Sequence, residues 1–416
     1  MLAALLAGLF FFFQASAEGV DQTQLNFSGF GTIGGTHSNS READVKETLV
    51  FPSGAGATKA TSYGIDTRLG LQASAKINNE LSGIVQVVVD RRWDNLYTPQ
   101  IEWANLKYDI NKDWYVRAGR VVAPVFMYSE QRNVGYSLAT VRVPYDVYSL
   151  NPITHLDGAD VGGRVALGGG TLSAQVTGGR AKLRLSVPVE VSGSSVMFNS
   201  TYEIDNSTFR FGYSKYKLDF LGIDQVGNIF DLYRQSVAGL GNALQYPPES
   251  ANVKFSNVPA RSMGVGYAYD NGKWLVQTEY VSRRSQGVVV QDGDAWYALG
   301  GYRLGKFTPY VAYSSIKSKE PAAHSPAVGF GGISDMAAMV INMVDDEYNQ
   351  HNEQNRLSLV VRYDFYRNLA LKVQMDHIRK PATPAVNVGL FSNTSAAFNA
   401  GDRSVNLLTV NLDFVF

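Results

Sequence analysis

Cysteine is absent from all 416 residues. That excludes disulfides, thiolate nucleophiles and cysteine-ligated metal sites, and it suits a chain exported unfolded through an oxidising compartment. Net charge is absent too: 37 Lys and Arg balance 37 Asp and Glu. No basic excess points to nucleic acid, and no acidic tail points to a disordered interaction segment. Past the N-terminus there is no run of about 18 apolar residues, so no helix is long and apolar enough to cross a bilayer. Histidine is scarce, with only His37, His155, His324, His351 and His377, and neither GxSxG nor HExxH occurs. An enzyme would have to assemble its pairs from distant segments, with His351 and His377 beside Asp346 or Asp376 as the candidates. No metal or cofactor is called for.

What the chain does have is aromatics, glycine and alternation. Tyr 23, Phe 21 and Gly 40 accompany a mean hydropathy of only −0.11, as expected where apolar and polar residues alternate. Val405 to Phe416 shows the pattern most clearly. Leu408, Val410, Leu412, Phe414 and Phe416 fall on one side of an extended chain, and Thr409, Asn411 and Asp413 fall on the other. At the other end, Met1 to Phe13 is apolar and Ala15-Ser16-Ala17 is an A-x-A cleavage site, so residues 1–17 read as a secretory signal peptide and 18–416 as the mature barrel. The lack of Lys or Arg ahead of the apolar run implies a true start upstream of Met1.

From Gln24 onward one unit repeats: strand, tight polar turn, strand, longer loop. Turns at 78–80, 111–113, 168–170, 205–207, 270–273, 304–306 and 366–368 separate alternating runs, and the count reaches about 16 strands. The run Thr171–Val191 is overlong but is kept whole, because dividing it at Gly178-Gly179 would put every later long loop at the opposite end. The long connections are 37–61, 121–157, 219–258, 318–355 and 380–404. Short turns at one end and long loops at the other predict an all-β, transmembrane antiparallel barrel with periplasmic turns and extracellular loops. Sixteen to eighteen strands leave a water-filled lumen. Two loops also carry apolar residues at helical spacing, Ile229 to Val237 and Met336 to Val344.

The terminal strand closed by an aromatic resembles the C-terminal signature of outer-membrane β-barrel proteins, which implies that Leu412, Phe414 and Phe416 are read by the assembly machinery. Glu102–Arg120 (EWANLKYDINKDWYVRAGR) and Leu25–Gly35 (LNFSGFGTIGG) resemble strands of the Gram-negative general porins. That resemblance implies a homotrimer of 16-stranded barrels in the outer membrane, among outer-membrane lipid and lipopolysaccharide, with the third loop (121–157) folded inward to narrow each pore. It further implies passive diffusion of small hydrophilic solutes and ions, with a substrate-specific sugar or organic-acid porin, or a barrel enzyme such as a phospholipase, as alternatives. The acidic loop motif Pro-Glu-Phe-Gly-Gly common in the family is missing here.

Alternation turns Arg68, Arg92, Lys107 and Arg164 toward the lumen, since a charge facing lipid costs roughly 2–4 kcal/mol at mid-bilayer. Arg117 and Arg120, three apart, cannot both face inward on a regular strand; the resemblance favours Arg120. Opposite this wall, the third loop offers Glu130, Asp146 and Asp157, with Arg132 and Arg142 tilting the sum positive, so mild anion preference is expected. Gly29 to Gly34 fits GxGxxG, but it lies inside an alternating strand rather than between a strand and a helix, so it reads as close packing and not as a nucleotide site.

Overall fold

Period-two alternation yields sixteen long strands in the computed structural model, which describes residues 24–48, 50–185, 190–221, 256–285, 290–318, 352–383 and 387–416. They are β1 (Gln24–Ser38), β2 (Arg68–Lys76), β3 (Leu81–Arg91), β4 (Tyr97–Asp109), β5 (Trp114–Val122), β6 (His155–Leu167), β7 (Gly170–Arg184) and β8 (Glu190–Ile204). The second half comprises β9 (Ser207–Leu221), β10 (Val258–Asp270), β11 (Trp274–Ser285), β12 (Gly293–Tyr302), β13 (Phe307–Ser318), β14 (Glu353–Tyr366), β15 (Leu369–Lys380) and β16 (Arg403–Val415). Each strand pairs antiparallel with its sequence neighbours, and β1 pairs with β16 from Phe30↔Val415 to Ser38↔Leu407. The sheet therefore closes on itself and leaves no long edge, which is what a sheet in hydrocarbon requires. The signal-peptide reading, the two helically spaced stripes, His324, His351 and Asp346 lie outside the described residues.

Side-chain direction follows the alternation. On β14 and β15, Leu357, Leu359, Val373 and Met375 are exposed on the outer surface, whereas Arg356, Ser358, Lys372, Gln374 and Asp376 are buried inward. β16 repeats this, with Leu408 and Val410 outside and Thr409, Asn411 and Asp413 inside. Seven connections at one end are turns of at most four residues; the longest at the other end are 39–67, 123–154, 222–257, 319–352 and 381–402. Asp205 and Asn368 take left-handed φ of 49° and 61° in the tight turns, a conformation that Asn and Asp tolerate.

One boundary differs from expectation. The run Thr171–Val191 belongs to two strands: β7 ends at Arg184 and β8 begins at Glu190, with Val191 paired to Leu183. Gly178-Gly179 stays inside β7, as read, but the chain passes from one strand to the next between Arg184 and Glu190. That stretch contains Pro188, which lacks the donor a central ladder needs.

Loops 39–67 and 381–402 fold back over the mouth. Asp44–Val45, Ala55–Gly56 and Phe391–Ser392 form a small sheet, and Val45, Phe391 and Phe398 cluster with Ile378, Val405 and Leu407 of the inner wall. The loop asymmetry sets a test of orientation in this Cys-free chain. Single cysteines at Asn79, Lys112, Gly272 or Arg367 are expected to resist an impermeant thiol label on intact cells, and those at Lys59 or Asp94 to react. The opposite pattern would reverse the barrel.

Candidate functional site

The loop between β5 and β6, residues 123–154, runs through the lumen. Its apolar side chains, Phe126, Tyr145, Val147, Tyr148 and Leu150, are buried with Met197, Tyr216, Leu218, Tyr297 and Ile316 of the facing wall. Phe126 and Tyr148 stack at 4.2 Å between ring centroids. The polar backbone of the loop is satisfied by inward side chains from far strands. Arg210 on β9 donates to Pro124 O at 2.6 Å, Met127 N donates to Glu279 on β11 at 2.9 Å, and Arg283 donates to Leu150 O at 2.8 Å. Tyr128 donates its hydroxyl to Gln277, and burial pushes its pKa up to about 12.

Beside β14–β16 and β1, ionic contacts fasten the loop. Lys372 reaches Asp413 at 3.1 Å and donates to Gly135 O at 2.6 Å. Gly135 is seated so closely that a Cβ there would lie 2.2 Å from Asp413 Oδ1 and 2.4 Å from Thr32 Oγ1, so any larger residue displaces the loop. Arg142 forms a fork on Asp66, at 2.7 and 2.6 Å, and also reaches Glu47 at 3.3 Å. Arg356 joins Glu47 at 3.0 Å and Asp146 at 3.1 Å, and Asp146 accepts from Ser314 and Gln354, each at 2.6 Å. Burial acts to raise the Asp66 pKa, but the Arg142 guanidinium outweighs it and holds the carboxyl below its ordinary value. For Glu47 burial wins over Arg356 and Arg142, and its pKa is raised.

The inner face of β2–β6 differs in kind: it is lined by charged pairs. Arg92 pairs with Asp90 at 2.7 Å, Lys107 with Asp109 at 2.7 Å, and Arg117 with Asp160 at 2.9 Å. Arg68 crosses to the loop and donates to Asn133 at 3.3 Å. From the loop, Glu130 acts electrostatically on Tyr115, Arg117 and Arg210, and Arg132 lies in the field of Glu102 and Arg68. Burial pulls the Arg132 pKa down, with Glu102 opposing. Arg68, Arg117, Glu130 and Arg132 are thus gathered where the loop faces this wall.

Several expected site residues stand elsewhere. Arg120 faces outward, opposite Asp157 on β6, and the two pair at 2.7 Å on the outer surface. Odd positions of β5 point inward from Tyr115, so Arg117 takes the lumen place assigned to Arg120. Asp157 is a strand residue on the outer face and no part of the loop. Asp146 is fully buried on the wall-facing side of the loop in the Arg356 contact, so its charge serves anchoring. Lys107 and Arg164 face inward but sit toward the short-turn end, where Arg164 donates to Lys112 O at 3.1 Å. Phe414 and Phe416 lie over Gly31 and Gly29 across the β1–β16 seam, with Leu412 on the same outer face. Asp376 faces inward and His377 outward, where it meets Asn406 at 2.7 Å, so the two do not form a catalytic pair. Among the described residues no cluster of His, Asp or Glu is placed to hold a metal. Sequence reasoning missed the Lys372–Asp413 and Arg356 contacts, although alternation along β14–β16 already turned those residues inward.

A closed 16-stranded antiparallel barrel with a long loop pinned in its lumen is a porin-like fold. No protein-family model and no curated protein matches the sequence. Solved structures do match. The outer membrane channel DcaP of Acinetobacter baumannii aligns over 95% of this chain and 97% of its own, at 10% identity and a TM-score of 0.56. OmpF of Salmonella typhi aligns over 95% and 98% at 14% identity and 0.52, and an anion-selective porin from Comamonas acidovorans over 95% and 100% at 11% and 0.52. At such identities the likeness is one of fold.

Proposed function

We propose that the chain is a porin of the Gram-negative outer membrane, a water-filled channel through which small hydrophilic solutes and ions diffuse down their gradients. The observation that carries this reading is the loop 123–154, clamped by charges to one wall while its other side faces the charged lining of β2–β6. Such a layout narrows a lumen without sealing it, and lines the remaining passage with groups that replace hydration. A trimer is supported by the outer face of β1–β5, where a groove of about 410 Å³ is lined by Leu25, Ala73, Ala75, Gly83, Val85 and Leu106 with no charged residue. Light scattering on the purified protein is expected to give three chains per particle.

Most lining charges are neutralised in pairs, and Glu102 and Glu130 stand against Arg68 and Arg132, so only a weak ion preference is expected in planar bilayers. The zero-current potential in a salt gradient tests the site. Arg117→Ala uncovers Asp160 and should shift the potential toward cations, with a permeability change on the order of a few-fold, since a unit charge at about 4 Å is worth ~1 kcal/mol even in water. Arg120→Ala, on the outer surface, should leave it unmoved. The reverse result would reassign the lining, and absence of stepwise conductance would sink the channel reading.

A further inference from the structure

From loop 39–67, which lies over the mouth, one acidic side chain dips into the barrel. Val45 sits in the apolar cluster with Ile378, Val405 and Leu407. Two residues on, Glu47 reaches Arg142 of the inner loop at 3.3 Å and Arg356 of β14 at 3.0 Å. Arg142 also forks on Asp66, while Arg356 meets Asp146 at 3.1 Å and Asp376 of β15 at 3.9 Å. Four carboxylates thus share two guanidiniums, and every one of these side chains is at most 6% exposed. The cations nearby are engaged elsewhere: Lys46 with Asp44, Lys372 with Asp413, Arg403 with Glu42, and Lys380 with the carbonyls of Asn399 and Gly401. Four acids against two cations leave two negative charges in a place that water barely enters.

The hydrogen bonds are also one short. Glu47 Oε2 and Asp376 Oδ2 are buried and meet no donor among the described residues. The Tyr145 hydroxyl, buried in the field of Glu47 and Asp146, is unpartnered as well. Its single proton cannot serve both bare oxygens. An uncompensated buried carboxylate is costly enough that taking up a proton is the easier course. One proton on Glu47 removes a charge and supplies the missing donor together. Glu47 is the member suited to hold it. The Arg142 fork keeps Asp66 ionised, and Asp146 accepts from Ser314 and Gln354 besides lying against Arg356. Glu47 takes both its guanidinium contacts on Oε1, and burial, reinforced by Asp376, raises its pKa against the pull of Arg356 and Arg142.

We propose that loop 39–67 is a proton-held strap: Glu47 seats in the barrel as the neutral acid, its Oε2–H turned toward the bare oxygens, and leaves as the carboxylate. A glutamate free in water loses its proton near pH ~4.3. The seated acid keeps its proton above that pH, so seating is strongest in acid and weakens as pH rises. For one proton the weakening is up to about tenfold per pH unit, and it stops once the seated acid itself ionises. Release carries Glu47 away from Arg142 and Arg356 and opens these two guanidiniums to solvent at the mouth.

The test uses the full chain, folded in detergent, with spin labels on Lys59→Cys in the strap and Leu221→Cys at the rim of β9; the absence of other cysteines makes the pair unambiguous. In mild acid a single narrow distance is expected between the labels. As pH is raised, a second and different distance should grow, by up to about tenfold per unit, and should vanish on return to acid. Glu47→Gln, the amide counterpart of the neutral acid, should hold the narrow distance at every pH. Asp376→Asn, which removes the repelling carboxylate, should flatten the pH response. A parent distance that does not change with pH overturns the proposal, and this measurement needs no change at Glu47 or Asp376. So does a Glu47→Gln protein that responds to pH as the parent does. The distance is read without conduction, so its outcome is independent of the channel reading.

Discussion

Removing Phe416, or replacing it with Asp, is expected to cut the amount of folded barrel in the membrane by more than tenfold. The first and last strands meet at this residue: Gly29 N donates to Phe416 O at 2.8 Å, and Phe416 N donates to Gly29 O at 2.9 Å. Its ring covers Gly29 as the Phe414 ring covers Gly31; a Cβ on either glycine would sit 2.3 Å from the ring above it. Aromatic rings over strand glycines protect backbone hydrogen bonds at a seam. Loss of one half-covered aromatic contact costs on the order of 1 kcal/mol, and the two seam hydrogen bonds go with it when the residue is deleted. Quantifying the heat-modifiable folded form in membranes checks this, with Leu96→Asp in the exposed loop 92–96 as the comparison. Equal accumulation of both variants would remove the seam from the account of assembly.

The second large effect is expected at Arg142. Arg142→Ala strips Asp66 and Glu47 of their principal shared cation while both carboxylates remain buried. Breaking a buried pair by removing one partner costs about 3–5 kcal/mol, somewhat less beside a wet lumen. The loop 123–154 then loses its hold near Thr36 and Thr409, and single-channel recordings should show larger, noisier conductance together with a lower unfolding temperature. Arg142→Ala combined with Asp66→Asn should recover part of the stability, because fewer buried charges are left unpaired. Wild-type noise and conductance in Arg142→Ala would show that apolar packing alone seats the loop.

Alternation made the barrel legible: β14–β16 and the faces of β2 follow from periodicity alone, because lipid and lumen demand opposite side chains at every step. The β7–β8 boundary is harder to read, because Ser192 to Ser195 look more like a turn than Leu185 to Val189, where Pro188 is the one local signal of a strand end. Arg117 and Arg120 were exchanged for another reason. Counting inward positions from Tyr115 gives the right face, whereas motif likeness carries no information about pleat. Asp146 was not legible at all. A loop acid that turns back to meet Arg356, 210 residues later, leaves no local trace in the chain.

Arg142 also bears on the order of events in folding. One guanidinium nitrogen donates to Thr36 at 3.1 Å and to Thr409 at 3.2 Å, the first on the opening strand and the second on the closing one. Lys372 and Asp413 likewise hold Gly135 from strands made near the end of synthesis. The β14–β16 and β1 side of the loop's seat therefore does not exist until the whole chain is present and the two terminal strands have met. A truncated or unclosed intermediate has only the facing wall of β8–β13 to hold its inner loop. The ionic locking of the loop is thus coupled to closure of the barrel, and contacts of such long sequence separation form slowly.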